Sequence, residues 1–128
     1  MADNCRCNQM GARLILGLAL LIITWMALTP MPEILQENIN DKVGHALVFL
    51  FLAGLAHAGW PDHGFGWRHG LWLLAYGIGL ECAQYFVPGR FFSVADIAAD
   101  GLGILAWLPL ARLLPRRFRA TGQGTVKP

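Results

Sequence analysis

The sequence predicts an all-α membrane protein, a compact bundle of four transmembrane helices. The chain of 128 residues is 55% hydrophobic and only 14% charged, whereas a soluble domain carries roughly a quarter of charged residues. Its apolar residues gather into four long stretches, and none of them alternates as a membrane barrel strand would. Because backbone polar groups cannot remain unpaired in lipid, such stretches form helices.

Each stretch is close to the roughly 18 to 20 residues that a spanning helix needs. The predicted spans are residues 14–28, 43–60, 70–87 and 94–114. Turn signals separate them, such as the Pro-Gly pair after Val87. The first and shortest stretch also resembles a signal peptide, but Trp25 and Leu28 make a poor cleavage site, so we expect a retained span.

The basic residues predict how the chain is oriented. Eight of the ten Lys and Arg residues lie in the N-terminal tail, the second loop and the C-terminal tail, and only Lys42 and Arg90 lie on the other side. The positive-inside rule therefore predicts a multi-pass protein of the cytoplasmic membrane with both termini in the cytoplasm. We divide the chain into an N-terminal tail (1–12), a membrane domain (13–114) and a basic C-terminal tail (115–128) that we expect to be disordered.

Several classes of function are disfavoured. A net charge of +2 without a basic stripe argues against nucleic-acid binding. The three cysteines show no disulfide framework. Cys5 and Cys7, with His63 and His69, could form a metal site, but a lone C-x-C pair is usually incidental. We assign no metal site from the sequence, and no motif identifies a cofactor.

Polar residues recur where three of the predicted helices reach the outer side of the membrane. A charge at mid-helix costs about 2.5 kcal/mol or more, so such residues normally face a partner or a watery cavity. The candidate site residues are Asp41, Lys42 and His45 in the second span, Glu81 and Gln84 in the third, Arg90 and Ser93 in the following turn, and Asp96 and Asp100 in the fourth.

Their side chains predict roles. His45, Glu81 and Asp96 are the candidate catalytic residues, with His45 as the proton carrier and Glu81 as a general acid or base. Lys42 and Arg90 suit phosphate or carboxylate. Asp96 with Asp100 would either orient His45 or hold a divalent cation through oxygen ligands. No nucleophile stands out, so the sequence leaves open whether the protein is an enzyme.

Three motifs together resemble the VanZ-like membrane proteins. They are Asp41-Lys42-x-x-His45, then Glu81-x-x-Gln84, then Pro88-x-Arg90-x-x-Ser93-x-x-Asp96 followed by a glycine-bearing helix. The resemblance covers residues 32–108. The chain departs from the family pattern at Asp100, where the family usually has Asn. The resemblance implies a small multi-span protein with a link to resistance against the glycopeptide teicoplanin.

The sequence therefore predicts an outward-facing polar site that acts on an anionic envelope component, either a lipid headgroup or a lipid-linked cell-wall precursor. Two alternatives remain. In one, the charges form an ion network that only fixes helix register, with Glu81 paired to Arg90 and Lys42 paired to Asp96 or Asp100. In the other, the protein is a small transporter, which the uncharged first span disfavours.

Overall fold

The computed structural model of the chain describes residues 2–30, 39–61 and 65–114. Within these ranges it contains no strand and four α-helices: α1 (Ala2–Ala27), α2 (Ile39–Gly59), α3 (Trp67–Gln84) and α4 (Val94–Leu113). The predicted all-α, four-helix architecture is confirmed. The C-terminal tail (115–128) and His63 lie outside the described residues.

Three of the four helices are long and apolar enough to cross a membrane, with candidate spans at Arg6–Ala27, Asn40–Gly59 and Val94–Leu113. The helix α3 is 18 residues long and is not among these three. It is less apolar because Arg68 and His69 lie in its first turn and Glu81 and Gln84 in its last.

The first helix is longer than the predicted span. It begins at Ala2, so the tail predicted over residues 1–12 is largely helical. This part of the chain has no proline to stop a helix, and its polar residues do not prevent one from forming. The helix ends just before Pro30, which has no N–H group to continue the ladder.

Each helix runs antiparallel to the helix that precedes it in the chain. At one end, Arg13 Nε donates to the carbonyl of Gly59 (2.7 Å). Near the middle, the Tyr76 hydroxyl donates to the carbonyl of Leu20 (3.0 Å). The end of the bundle that contains the C-termini of α1 and α3 and the N-termini of α2 and α4 is called here the site end.

The core is built around α2. Its buried side chains Phe49, Leu52, Ala53 and Ala56 pack against buried residues of the other three helices, Leu16, Leu73 and Ile104. Many large apolar side chains point outward instead: Leu14, Leu18, Trp25, Phe51, Leu71, Trp72, Leu102 and Leu105 are exposed. An apolar outer surface on every helix is typical of a bundle that lipid surrounds.

The helices α2 and α4 lie in very close contact. A Cβ atom added to Gly103 would collide with the backbone carbonyl of Ala46. One added to Gly54 would come within 3.3 Å of the Trp107 ring. Small residues allow such close approach between helices in lipid, and this contact sets the spacing of the side chains at the site end.

We expect Gly103→Ala to destabilise the protein by about 1–3 kcal/mol, the usual cost of inserting a methyl group into a well-packed interface. Gly101→Ala, two residues away, is the matched control, because an added Cβ there meets only Leu74 Cδ1, at 3.9 Å. Thermal unfolding in detergent measures the difference. Equal melting temperatures for the two variants would contradict the close contact between α2 and α4.

Candidate functional site

A cavity of about 280 Å³ opens between the helices at the site end. Its polar lining residues are Asn40, Asp41, His45, Glu81, Gln84, Arg90 and Asp100, and its apolar lining residues include Ile23, Val48, Phe49 and Leu80. Two larger cavities, of about 480 and 640 Å³, lie elsewhere on the bundle, and their linings are mostly apolar. Polar side chains from several helices converge only on the smallest of these three.

The centre of the site is a histidine held between two carboxylates of α4. His45 Nδ1 lies 2.9 Å from Asp100 Oδ1, and His45 Nε2 lies 4.0 Å from Asp96 Oδ2. Asp96 and Asp100 are one helical turn apart and therefore share a face of α4. Asp100 is 1% exposed, and His45 is the side chain that hydrogen-bonds to it among the described residues.

Space for Asp100 comes from a glycine on α3. A Cβ atom at Gly77 would lie 2.5 Å from Asp100 Oδ2 and 3.0 Å from Phe49 Cζ. An added Cβ would therefore displace the Asp100 carboxylate, so Gly77 is needed for Asp100 to take this position. The sequence shows Gly77 on the Glu81 face of α3, where we interpret it as packing, and its role toward Asp100 is visible only in the structure.

The first turn of α4 is fixed by a cap and an ion pair. The Ser93 hydroxyl accepts a hydrogen bond from the backbone N–H of Asp96 (3.3 Å), the usual role of an N-cap serine. Lys42 Nζ lies 3.5 Å from Asp96 Oδ1, so Asp96 is the partner of Lys42 among the two, Asp96 and Asp100, that the ion-network alternative leaves open. Asp96 Oδ1 nevertheless accepts no hydrogen bond from the described residues, so the contact is electrostatic.

Glu81 is almost completely buried, at 1% exposure. Its Oε2 accepts a hydrogen bond from the backbone N–H of Ser93 (3.0 Å). Its Oε1 has no hydrogen-bond partner among the described residues. A buried carboxylate oxygen without a partner is costly, and here the side chain lines the cavity.

Arg90 and Gln84 contact α1 instead of the carboxylates. Arg90 Nη2 donates to the carbonyl of Met26 (2.9 Å) and, with Nε, to that of Thr29 (3.3 Å). Gln84 Nε2 donates to the carbonyl of Ala27 (3.2 Å). The last carbonyls of a helix have no partner within the helix, and these two side chains supply one.

The structure therefore brings some of the candidate residues together and keeps others apart. His45, Asp96 and Asp100 form one cluster with Lys42, and Asp41 lies beside it. The expected pair between Glu81 and Arg90 does not form within the described part of the chain, because the α1 carbonyls take the guanidinium. Sequence reasoning missed these carbonyls, because a backbone carbonyl gives no signal in the sequence. It also missed Asn40, an uncharged residue that lines the cavity.

The arrangement favours binding and proton exchange over nucleophilic chemistry. The Ser93 hydroxyl oxygen is already used as the cap of α4, where it accepts from the backbone N–H of Asp96. The imidazole of His45 lies between acceptors on both sides, which suits it to hold a proton or a cation. The cavity has polar side chains on one wall and apolar side chains on the other, so an amphiphile fits it better than a fully polar solute.

Comparison with known proteins identifies one family. The VanZ/LLP1 family model matches residues 8–115, which includes most of α1, all of α2, α3 and α4, and every residue of the candidate site. No curated protein and no solved structure matches the chain. The match agrees with the resemblance drawn from the motifs around His45, Glu81 and Arg90.

We expect Glu81→Gln to leave the melting temperature unchanged or to raise it, because the amide oxygen can still accept from Ser93 N–H while the buried charge is removed. Glu81→Leu should lower the stability by about 1–3 kcal/mol, the cost of leaving a buried backbone donor unpaired. Thermal unfolding of both variants in detergent makes the comparison. A large and equal loss in both would show that the carboxylate charge itself holds the fold together.

Proposed function

The chain belongs to the VanZ/LLP1 family, and we propose that it binds the phosphate-bearing headgroup of an anionic envelope lipid in the cavity at the site end. The headgroup belongs either to a membrane phospholipid or to a lipid-linked cell-wall precursor. The observation that carries the proposal is the convergence of polar side chains from α2, α3 and α4 on one cavity within an otherwise apolar bundle.

The size and lining of the cavity support a headgroup. At about 280 Å³ the cavity is slightly below the roughly 300–1,000 Å³ usual for small-molecule sites, so it suits a headgroup better than a whole lipid. Ile23, Val48 and Leu80 form an apolar wall along which an acyl or prenyl chain can leave toward the bilayer.

Two cationic side chains are available for the phosphate. Lys42 is half-buried and close to His45 on α2. Arg90 lines the cavity, and its bonds to α1 use Nε and Nη2, so Nη1 can point to a ligand. An Arg with free donors and a nearby Lys is a usual combination for phosphate recognition. In this proposal His45 carries a proton at the headgroup, and Glu81 can act as acid or base.

The distribution of basic residues supports an extracytoplasmic site. Arg6, Arg13, Arg68 and Arg112 lie at the end of the bundle opposite the site end, where only Lys42 and Arg90 occur among the described residues. By the positive-inside rule the site end faces outward and all four helices cross the membrane, α3 included. We further propose that the protein influences teicoplanin susceptibility, as the family resemblance implies.

A second candidate function is purely structural. The bond between His45 and Asp100 and the ion pair between Lys42 and Asp96 both join α2 to α4, so the cluster can fix the register of these two helices without binding anything. The two proposals differ in what the loss of Lys42 does: a binding site loses affinity, and a structural network loses stability.

Topology can be tested with single cysteines in a background with Cys5, Cys7 and Cys82 replaced by serine. Phe91→Cys lies at the site end, where Phe91 is 68% exposed. Gly66→Cys lies at the opposite end, where an added Cβ meets nothing within 4 Å. We expect an impermeant maleimide to label intact spheroplasts only at position 91, and permeabilised ones at both. The reverse pattern would overturn the extracytoplasmic location.

Headgroup binding can be tested with the full chain in phosphatidylcholine nanodiscs. We expect phosphatidylglycerol or a polyprenyl phosphate to bind, and Lys42→Gln to weaken the affinity about tenfold or more, since a bond to a charged group contributes about 1.5–3 kcal/mol. The control is Arg68→Gln at the opposite end, which should bind as wild type does. A lower melting temperature for Lys42→Gln with unchanged affinity would favour the structural network, and the stronger of the two lipids identifies the source of the headgroup.

A further inference from the structure

The site end holds more negative than positive side chains. Asp41, Glu81, Asp96 and Asp100 are acidic, while Lys42 is the only described cation within ion-pair distance of any of them besides His45. Arg90 donates to helix carbonyls instead. A phosphate headgroup would therefore enter a cluster whose own charge opposes it, unless a further positive charge is present.

Two buried carboxylates lie where that charge would be needed. Asp96 is 8% exposed and Glu81 1%, and in each carboxylate one oxygen has no hydrogen-bond partner among the described residues. Glu81 lines the cavity beside Asp41 and His45. Asp96 Oδ1 already faces Lys42 Nζ at 3.5 Å, so Glu81 Oε1 is the oxygen in no ion pair among the described residues. Because an unpaired buried carboxylate is costly, a cation in or beside the cavity would stabilise Glu81.

Three side chains offer ligands for such an ion. Asp41, His45 and Asp96 each contribute one donor atom, and the three atoms lie within 4.8 Å of one another. Two atoms bound to the same ion at about 2.0–2.2 Å are at most ~4.4 Å apart, so a small movement closes the site. Asp41 is exposed, so its side chain can move toward the ion. Lys42 pairs with the other oxygen of Asp96, so the ligand oxygen is left for the ion.

The orientation of His45 fits a metal ligand. Metal-binding histidines almost always donate their second ring N–H to a carboxylate, a backbone carbonyl or a water, which fixes the tautomer and turns the other nitrogen to the metal. Asp100 Oδ1 is in that position, 2.9 Å from Nδ1. Nε2 then faces Asp96 Oδ2 at 4.0 Å, where an ion would lie between them. In the ion-bound site His45 is therefore a ligand, and Glu81 is left as the acid or base.

We propose that Asp41, His45 and Asp96 bind one divalent cation, which completes the charge of the site and provides the contact for the phosphate of the headgroup. One nitrogen and two carboxylate ligands suit Zn²⁺ or Mn²⁺ better than the all-oxygen sites of Mg²⁺ and Ca²⁺. Three protein ligands leave coordination positions open toward the cavity, as in catalytic metal sites. This inference rests on the proposed headgroup binding for its role, but the ion can bind without the lipid.

The experiment measures Mn²⁺ binding to the full chain, stripped with chelator and purified in detergent, by electron paramagnetic resonance. Zn²⁺ is then used to displace it, in a background with Cys5, Cys7 and Cys82 replaced by serine because thiolates bind zinc. We expect one ion per chain. Asp41→Asn and Asp96→Asn should each raise the apparent Kd at least tenfold, while His69→Gln at the opposite end should leave it unchanged.

Asp41→Asn is the decisive variant, because Asp41 is exposed and its substitution should leave the metal-free melting temperature as in wild type. An equal Kd in wild type and Asp41→Asn, or less than one ion per chain in wild type, would overturn the proposal. Lipid binding separates the two inferences. Headgroup binding that persists in chelator would contradict the role of the cation and leave the proposed function standing. One bound ion without headgroup binding would contradict the proposed function and leave the cation site standing.

Discussion

The contact between α2 and α4 at Gly103 and Ala46 is the constraint on which the rest of the structure depends. No side-chain atom fits between the two backbones there, so the helices meet at main-chain distance. One turn toward the site end, this spacing brings the imidazole of His45 within hydrogen-bond distance of Asp100. The same spacing lets Lys42 reach Asp96. Packing by small residues and the polar site are thus two results of one helix pair.

Much of the fold follows from the sequence because composition and punctuation act locally. The start of α4 was predicted at Val94 and is found there, because Ser93 caps it and Asp96 follows in the first turn. The sequence does not predict the N-terminal part of α1, because the residues before Arg13 are mostly polar. This part of the helix continues into the apolar stretch after Arg13, which stabilises it. The helix α3 is not among the three helices apolar enough to cross a membrane, because Arg68 and Glu81 lower its hydropathy.

The sequence predicts at which end of the bundle the candidate site lies, but it does not predict most of the contacts within the site. Topology alone brings the acidic residues of α2, α3 and α4 to one end, which predicts an ion pair of Lys42 with Asp96 or Asp100, and the structure shows the pair with Asp96. The partner of Arg90 could not be predicted. Its acceptors are the carbonyls of Met26 and Thr29, and a backbone carbonyl has the same appearance at every position of a sequence. Glu81 likewise bonds to a backbone N–H, and so the expected pairing of side chain with side chain failed.

The helix α1 is joined to α3 and its following turn mainly through its own main chain. Tyr76, Gln84 and Arg90 all donate to α1 carbonyls, and few side chains of α1 are buried. Substitutions along the lipid-facing surface of α1 leave those acceptors in place, so this helix can drift in sequence while the bundle stays assembled. A substitution of one of the three donors removes a contact. Relatives should therefore vary most in α1, which closes the cavity, and least at Tyr76, Gln84 and Arg90, which hold α1 in place.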